Sequence, residues 1–402
     1  MKTKLFKNEI DEAAEIIKQG GLVAIPTETV YGLACNGLDT SAVDRVYEVK
    51  GRPSVKPLSL MVPDMSFIEK YCEDLPKAAY TLAKRFWPGA LTIVLKSKKN
   101  VPELVRAGGT TVGLRCPDHP VTLALLKQVA LPLAVPSANP SGEPSPKNAE
   151  TVMRYFDGMI EAVIDGGECG IGTESTIIDL STLPYRILRE GALYAETVFG
   201  ELARHMTVIG ITGGSGGGKT TALLALKELG ALVIDCDEVY HELLSDSKEM
   251  LSELEDSFSS CFISGTLDRK ELGRTVFADS EKLKTLNKIT HKHVCKEVDK
   301  MLIEWAAQGG SLVAIDAIAL IEAGIGSRCT AVVGITAPPE QRIQRLIARE
   351  DISEEYAQLR VAAQKPDEFF EKNCDYSIYN DGSTDDFIEK CRKLFSGIIE
   401  EA

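Results

Sequence analysis

One stretch of this 402-residue chain is built for phosphate. Gly213, four residues, Gly218, Lys219 and Thr220 satisfy the pattern GxxxxGK[ST], and nothing else in the sequence does. Glycines let backbone N–H groups curl around phosphate oxygens, and a following helix adds positive potential at its N-terminus. Gly216, Gly217, Gly218 and Thr221 would supply N–H donors to ATP. Lys219 would reach the β- and γ-phosphates, and the Thr220 hydroxyl would ligate Mg²⁺. The flanking strand TVIGIT and helix KTTALLALKELG are the context that such a loop requires.

Phosphoryl transfer also needs a carboxylate that orients and deprotonates the acceptor hydroxyl. Asp235 and Asp237 lie at the end of the strand-like run ALVIDCD, directly after the loop's helix. Parallel sheets present groups to ligands at that end. Asp316 closes a second run, LVAID. Paired aspartates also serve as surface caps, and that reading stays open beside the catalytic one. A guanine-reading NKxD segment is absent, because the one Asn-Lys pair (Asn287, Lys288) continues into Ile-Thr. A kinase is therefore expected over a GTPase switch.

The first half of the chain offers cations and hydroxyls in loops. Lys50, Arg52 and Lys56 fall within KGRPSVK, Arg115 within GLRCP, and Ser137 and Asn139 within PSANPSG. Pro53 and Pro57 stiffen the basic loop. Such a set suits a polyphosphate or another anion held by charge-assisted hydrogen bonds, and equally an ordinary solvated face. No nucleophile motif is present, so covalent catalysis is not expected.

These residues need two scaffolds. The length favours two cores of about 200 residues each. Charge divides unevenly: residues 1–205 hold 23 Lys and Arg against 25 Asp and Glu, the rest 22 against 34. Bulk attraction for nucleic acid is thereby excluded for the acidic second half. Both halves alternate strand-like and helix-like runs, which predicts α/β layering. In the first, EIDEAAEIIKQG reads as a helix closed by Gly20, and GLVAI, 58–62, 91–95, 131–135 and 175–180 as strands. In the second, TVIGIT, ALVIDCD, 312–316 and 331–336 read as strands of a parallel sheet. The segment LYAETVFGELARHM reads as a last helix and linker, and the boundary falls before its Met206, giving domains 1–205 and 206–402.

Ten cysteines stand at least seventeen residues apart, without zinc-ligand spacing. Scattered thiols without a leader segment point to a reducing cytoplasm. Asp316 and Glu322 interrupt the richest apolar run, SLVAIDAIALIEAGIG, so no membrane span is expected.

The segments ITGGSGGGKTT, VIDCDEVYHELL, GTLDRKELGRTVFAD, LNKITHKHV, QRIQRLIARE, RVAAQ and YSIYNDG resemble, in this order, those of dephospho-coenzyme A kinases. The likeness covers 207–402. It implies a P-loop kinase fold, a parallel sheet flanked by helices, that uses ATP and Mg²⁺ to phosphorylate the ribose 3′-hydroxyl of dephospho-CoA. Asp237 would accept the hydroxyl proton, and Arg345 and Arg349 would clamp the transferring group as lid cations. His291 is followed by Lys292 where that family has proline. His291 and His293 lack a third ligand and read as structural.

In the first half, PTETVYGL, KGRP, GLRCPDHP, PSANPSG, ESTIID and RILREGA resemble the YrdC-like threonylcarbamoyl-AMP synthases over about 10–195. The implied fold is a twisted mixed sheet with surrounding helices. The implied reaction joins L-threonine, bicarbonate and ATP into threonylcarbamoyl-AMP and pyrophosphate, for transfer by other proteins to a tRNA adenosine. Contact with tRNA or a transferase belongs to that picture. Thr29, Met61, Arg115, Ser137 and Ser175 fall on threonine-binding positions. Lys50, Arg52, Lys56, Thr111, Asn139, Lys147 and Arg189 fall on ATP positions, with Lys50 and Arg52 as catalytic cations. Met61 and Lys147 depart from the family's usual histidine and threonine. Two other readings use the same residues: a double-stranded RNA-binding module in the first half, and a kinase for another nucleoside-like acceptor in the second.

Overall fold

A computed structural model describes residues 2–317, 320–321 and 324–401. Two compact units divide the chain: Met1–Arg204 with Ala307–Gly309, and His205–Ala306 with Gly310–Ala402.

The first unit is organised by a ten-stranded mixed sheet. Its order is Lys4–Phe6, Ala162–Ile164, Val23–Ile25, Gly32–Asn36, Leu133–Ala134, Ser59–Met61, Thr111–Arg115, Leu91–Lys96, Thr176–Asp179 and Arg186–Arg189. Helix Ile10–Lys18 forms where predicted and buries Ala13, Ala14 and Ile17 on one face. That face packs on Val23, Ile25, Ala34, Leu125 and Leu126. Each fully buried aliphatic side chain contributes about 1.5–3 kcal/mol. Helix Thr40–Lys50 begins on the Asp39 carboxylate, which accepts the N–H groups of Ser41 and Ala42, and ends at Gly51. Gly51 is in the left-handed region (φ 58°), a turn that glycine adopts without a Cβ penalty. This stop delivers Lys50 on the last helical turn and Arg52 in the loop beyond it.

The second unit holds a five-stranded, wholly parallel sheet ordered Leu232–Asp235, Leu312–Asp316, Thr207–Gly213, Ala331–Thr336 and Tyr376–Tyr379. Leu312–Asp316 lies between Thr207–Gly213 and Leu232–Asp235, which are consecutive in the chain. Sheets of this kind bind ligands at their carboxyl ends. Ile209, Ile211, Val333 and Ile335 bury against Ala222, Leu226, Phe387 and Phe395. A separate helical cluster gathers Leu244, Met250, Leu254, Phe258, Leu272 and Val276.

Two expectations change. The run ALVIDCD is strand only to Asp235, and helix Cys236–Asp246 starts at once. The strand expected at 131–135 shrinks to Leu133–Ala134, because the flanking prolines Pro132 and Pro136 have no N–H to give a ladder. Among the described residues no helix is long and apolar enough to cross a membrane. Glu322 lies outside them.

Candidate active sites

In the first unit, parallel pairing of Ser59–Met61 with Thr111–Arg115 places Met61 and Arg115 side by side at one strand end. Leu91–Lys96 pairs in parallel with Thr176–Asp179, bringing Thr92 beside the Ser175 turn. Their side chains line a cleft of about 180 Å³ together with Arg52, Ser137, Glu174 and Arg189, and with Val30 and Val135 as apolar wall. Three guanidiniums and one carboxylate thus face the same space.

Arg115 is 6% exposed and fully engaged on one side. Its Nε donates to the Gly89 carbonyl at 3.2 Å, and its Nη2 to Glu28 at 2.6 Å and Thr29 Oγ1 at 2.8 Å. Arg189 donates to Glu174 at 2.5 Å and to the Ser175 carbonyl at 2.8 Å. Glu174 also accepts from Ser145 Oγ at 2.8 Å, and the Ser175 and Thr92 hydroxyls pair at 2.9 Å. Lys50 is 3% exposed. Its ammonium donates to the carbonyls of Ser137 and Asn139, and its own carbonyl accepts from the Ser141 N–H at 2.7 Å. Burial, aided by the nearby Arg52 charge, pushes the Lys50 pKa down to about 8. The Asn139 amide donates to the Pro140 and Glu143 carbonyls, while its Oδ1 is buried without a partner. That oxygen can accept from a ligand.

In the second unit, the loop Gly213–Gly218 joins its strand to helix Lys219–Glu228. Gly218 has φ 116°, and a Cβ there would lie 2.4 Å from the Asn380 amide, so only glycine fits. The loop is held from behind. Arg342 donates to the Ser215 carbonyl at 3.1 Å and to Gln364 Oε1. Gln364 accepts from the Ser215 N–H at 2.9 Å and donates to its hydroxyl at 2.7 Å. Asn380 donates to the Gly217 carbonyl at 2.8 Å, and Arg345 to that of Gly216 at 3.2 Å.

Lys219 Nζ rests on the Gly213 carbonyl at 3.1 Å. Burial lowers its pKa, and the Asp316 charge opposes that shift. Asp316 stands in register with Asp235 on the neighbouring strand. Burial raises its carboxyl to about 6, and Oδ1 is buried without a hydrogen-bond partner. Asp237 is raised as well, by burial and then by the Asp235 charge. It opens onto a cavity of about 650 Å³ whose walls are largely apolar: Leu244, Leu272, Val276, Phe277, Leu286 and Val294, with Tyr240, Arg269, Asn287, Thr290 and His291 as polar exceptions. A phosphate loop, a half-buried cation and a largely apolar cavity thus meet at two carboxylates. The Thr220 hydroxyl and the unpartnered Asp316 oxygen are hard oxygen donors of the kind Mg²⁺ takes, so the residues fit that ion.

The family described as telomere recombination, comprising Sua5, YciO and YrdC, matches residues 15–191, and the dephospho-CoA kinase family matches residues 207–386. A threonylcarbamoyl-AMP synthase of Pyrococcus abyssi is 47% identical over 49% of this chain and 59% of its own length. A Mycobacterium tuberculosis relative is 36% identical over 47% of this chain and 87% of its own. A dephospho-CoA kinase of Corynebacterium glutamicum is 31% identical over 48% of this chain and 98% of its own. The chain belongs to both families, one in each half. It spans about three-fifths of the Pyrococcus relative, 59%.

Within the Sua5/YrdC half, Arg52, Met61, Arg115, Ser137, Ser175 and Arg189 line the cleft. Thr29 is buried behind it on Arg115. Lys50 faces carbonyls and is not among the lining residues. Thr111 starts the strand that Arg115 ends, about 13 Å away along it. Lys56 and Lys147 are exposed, and Lys147 lies against Gly172 of the GGECGIG loop. Glu28, Glu174 and Thr92 were not singled out from the sequence. Both glutamates sit inside the quoted family segments, PTETVYGL and ESTIID, and their pairing with Arg115 and Arg189 is visible only in the fold.

Within the kinase half, Asp237, Lys219 and the loop glycines come together. Arg345 braces the loop from behind, where a free clamp was expected. Arg349 pairs with Glu350 at 2.5 Å, yet its charge still acts on Lys219. His293 is buried with its Nε2 3.3 Å from Glu253, and His291 lines the cavity. Among the described residues no cluster of three or more His, Cys, Asp and Glu is placed to hold a metal. Arg342, Gln364 and Asn380 were missed as supports, although QRIQRL, RVAAQ and YSIYNDG contain them.

Proposed function

We propose that this chain carries two separate ATP-dependent activities. The first unit makes threonylcarbamoyl-AMP from L-threonine, bicarbonate and ATP. The threonine amine captures bicarbonate or its carbon dioxide; the new carbamate oxygen bonds to the α-phosphorus of ATP, and pyrophosphate leaves. No protein nucleophile is required. The chain positions the reactants and balances charge, with Arg115 for the threonine carboxylate and Arg52 and Arg189 for the phosphates. The observation that carries this reading is the convergence of three arginines on a cleft whose other walls are the Glu174 carboxylate, hydroxyls and apolar side chains. The product would pass to a transferase acting on tRNA.

The second unit transfers the γ-phosphoryl group of ATP to the ribose 3′-hydroxyl of dephospho-CoA. Asp237 takes the hydroxyl proton as the oxygen–phosphorus bond forms, and ADP leaves. Lys219 holds the phosphates. Thr220 and Asp316 would hold Mg²⁺, which would supply charge neutralisation at the phosphates. The supporting observation is Asp237 at the mouth of an apolar cavity beside the phosphate loop, because the acceptor's long pantetheine arm needs such a surface. The ten cysteines are unpaired, in keeping with a cytoplasmic location.

Product analysis of the intact chain with ATP and Mg²⁺ tests both readings. Pyrophosphate should form only with L-threonine and bicarbonate together, and ADP only with dephospho-CoA. Pyrophosphate release indifferent to threonine would sink the first reading. ADP formed equally well with adenosine or AMP as acceptor would sink the second.

A further inference from the structure

The Arg115 guanidinium is shared among more partners than a substrate-binding arginine needs. Its Nε–H goes to the Gly89 carbonyl, and the two Nη2 hydrogens go to Glu28 Oε1 and Thr29 Oγ1. The donors left over are the two on Nη1, and Arg115 lines the cleft. Glu28 is itself fixed on both sides. Its second oxygen accepts the Asp118 N–H at 3.0 Å, and its backbone carbonyl accepts the Ile171 N–H at 2.8 Å. Side chains of the pair are 7% and 13% exposed. A buried guanidinium without a counter-charge is strongly disfavoured, and Glu28 supplies that counter-charge at 2.6 Å. A fork anchored at three points also loses little freedom when a carboxylate arrives.

We propose that Glu28 is a positioning residue for the amino-acid substrate, holding Arg115 as half of a buried neutral pair so that the Nη1 edge is set for the substrate carboxylate. The inference rests on the reading of this cleft as a threonine site. Glu28 makes no bond to the reacting atoms. It acts through the orientation of Arg115, and its influence is confined to the amino-acid end of the cleft, since Arg52 and Arg189 have their own partners.

The test uses the full chain with Glu28→Gln and Glu28→Asp, measuring pyrophosphate release with threonine and ATP varied separately. Glu28→Gln should raise KM for L-threonine about tenfold or more, with KM for ATP changed less than twofold. Glu28→Asp keeps the charge and should recover part of the loss. A cycle with Arg115→Ala guards against general damage to the fold: in that background Glu28→Gln should add no further rise in threonine KM, because its partner is gone. An unchanged threonine KM in Glu28→Gln, a parallel rise of both KM values, or additive effects in the cycle would each overturn the role of Glu28 alone. Wild-type protein without threonine-dependent pyrophosphate release would overturn the reading of the cleft, and this inference with it.

Discussion

Asp235 accepts the backbone N–H of Asp237 at 2.9 Å, and that of Glu238 at 3.2 Å. One aspartate of the pair is therefore the cap of helix Cys236–Asp246, and the other is left on its first turn facing the acceptor cavity. The two should fail differently. Asp235→Ala removes a cap and should cost the second unit about 1 kcal/mol in thermal unfolding, with part of the kinase activity retained. Asp237→Asn should leave stability nearly unchanged and lower kcat for ADP formation by about 100- to 10,000-fold. Equal losses of activity in the two variants would contradict this division of labour.

Asp316 makes the second unit's stability depend on pH. Its carboxyl is raised from an ordinary 3.8 to about 6 by burial. The folded state therefore holds the proton more tightly than the unfolded chain does. The associated stability is fully present below about pH 4 and is lost as pH rises through 6. Without nucleotide and metal, Asp316→Asn should unfold at higher denaturant than wild type at pH 8, by about 3 kcal/mol. The difference should shrink toward zero near pH 4. A difference that stays flat between these values would show that burial of the carboxylate is not its cause.

Much of both sites was legible because their residues lie in local patterns. The phosphate loop is read from glycine spacing, the Lys219-Thr220 pair and the flanking strand and helix, all of them local in sequence. The strand Leu91–Lys96 and helix Ile10–Lys18 announce themselves by apolar periodicity. What was hidden is long-range pairing. Arg115 meets Glu28 across 87 positions, and Gln364 meets Ser215 across 149; no local pattern encodes such partners. Lys50 is put on an ATP position by the family resemblance, while its basic neighbours alone suit an anion or a solvated face equally. Its burial depends on where the loop carrying Ser137 and Asn139 crosses the helix end, which only the fold determines.

Lys50 accordingly gives a sharp prediction. If it holds the Ser137–Ser141 loop, Lys50→Met leaves the buried Asn139 carbonyl short of a donor, at about 1–3 kcal/mol, and the part-buried Ser137 carbonyl as well. The first unit should then unfold earlier with no ligand present, and KM should rise for both threonine and ATP. A direct phosphate ligand would behave otherwise: Lys50→Met would leave unliganded stability intact and weaken ATP alone. Thermal unfolding without ATP separates the two roles.

The residues around each site come from a single unit. The cleft is lined by positions between 30 and 189. The phosphate loop draws its supports from Arg342, Arg345, Gln364 and Asn380, and the acceptor cavity from positions between 236 and 325. Among the described residues each site is lined from its own unit, and the proposed reactions share ATP and Mg²⁺ but no intermediate. Lys219→Ala should lower ADP formation by about 100-fold or more, as loss of a pre-placed charge at a transferring phosphoryl group does, while pyrophosphate release stays within about twofold of wild type. Arg52→Ala should do the reverse. Both products must be measured on the same preparation at saturating ATP, so that altered nucleotide competition does not mimic coupling. A fall in ADP formation in Arg52→Ala, with unfolding unchanged, would mean that one unit controls the other, and the two activities would then have to be treated as a single regulated enzyme.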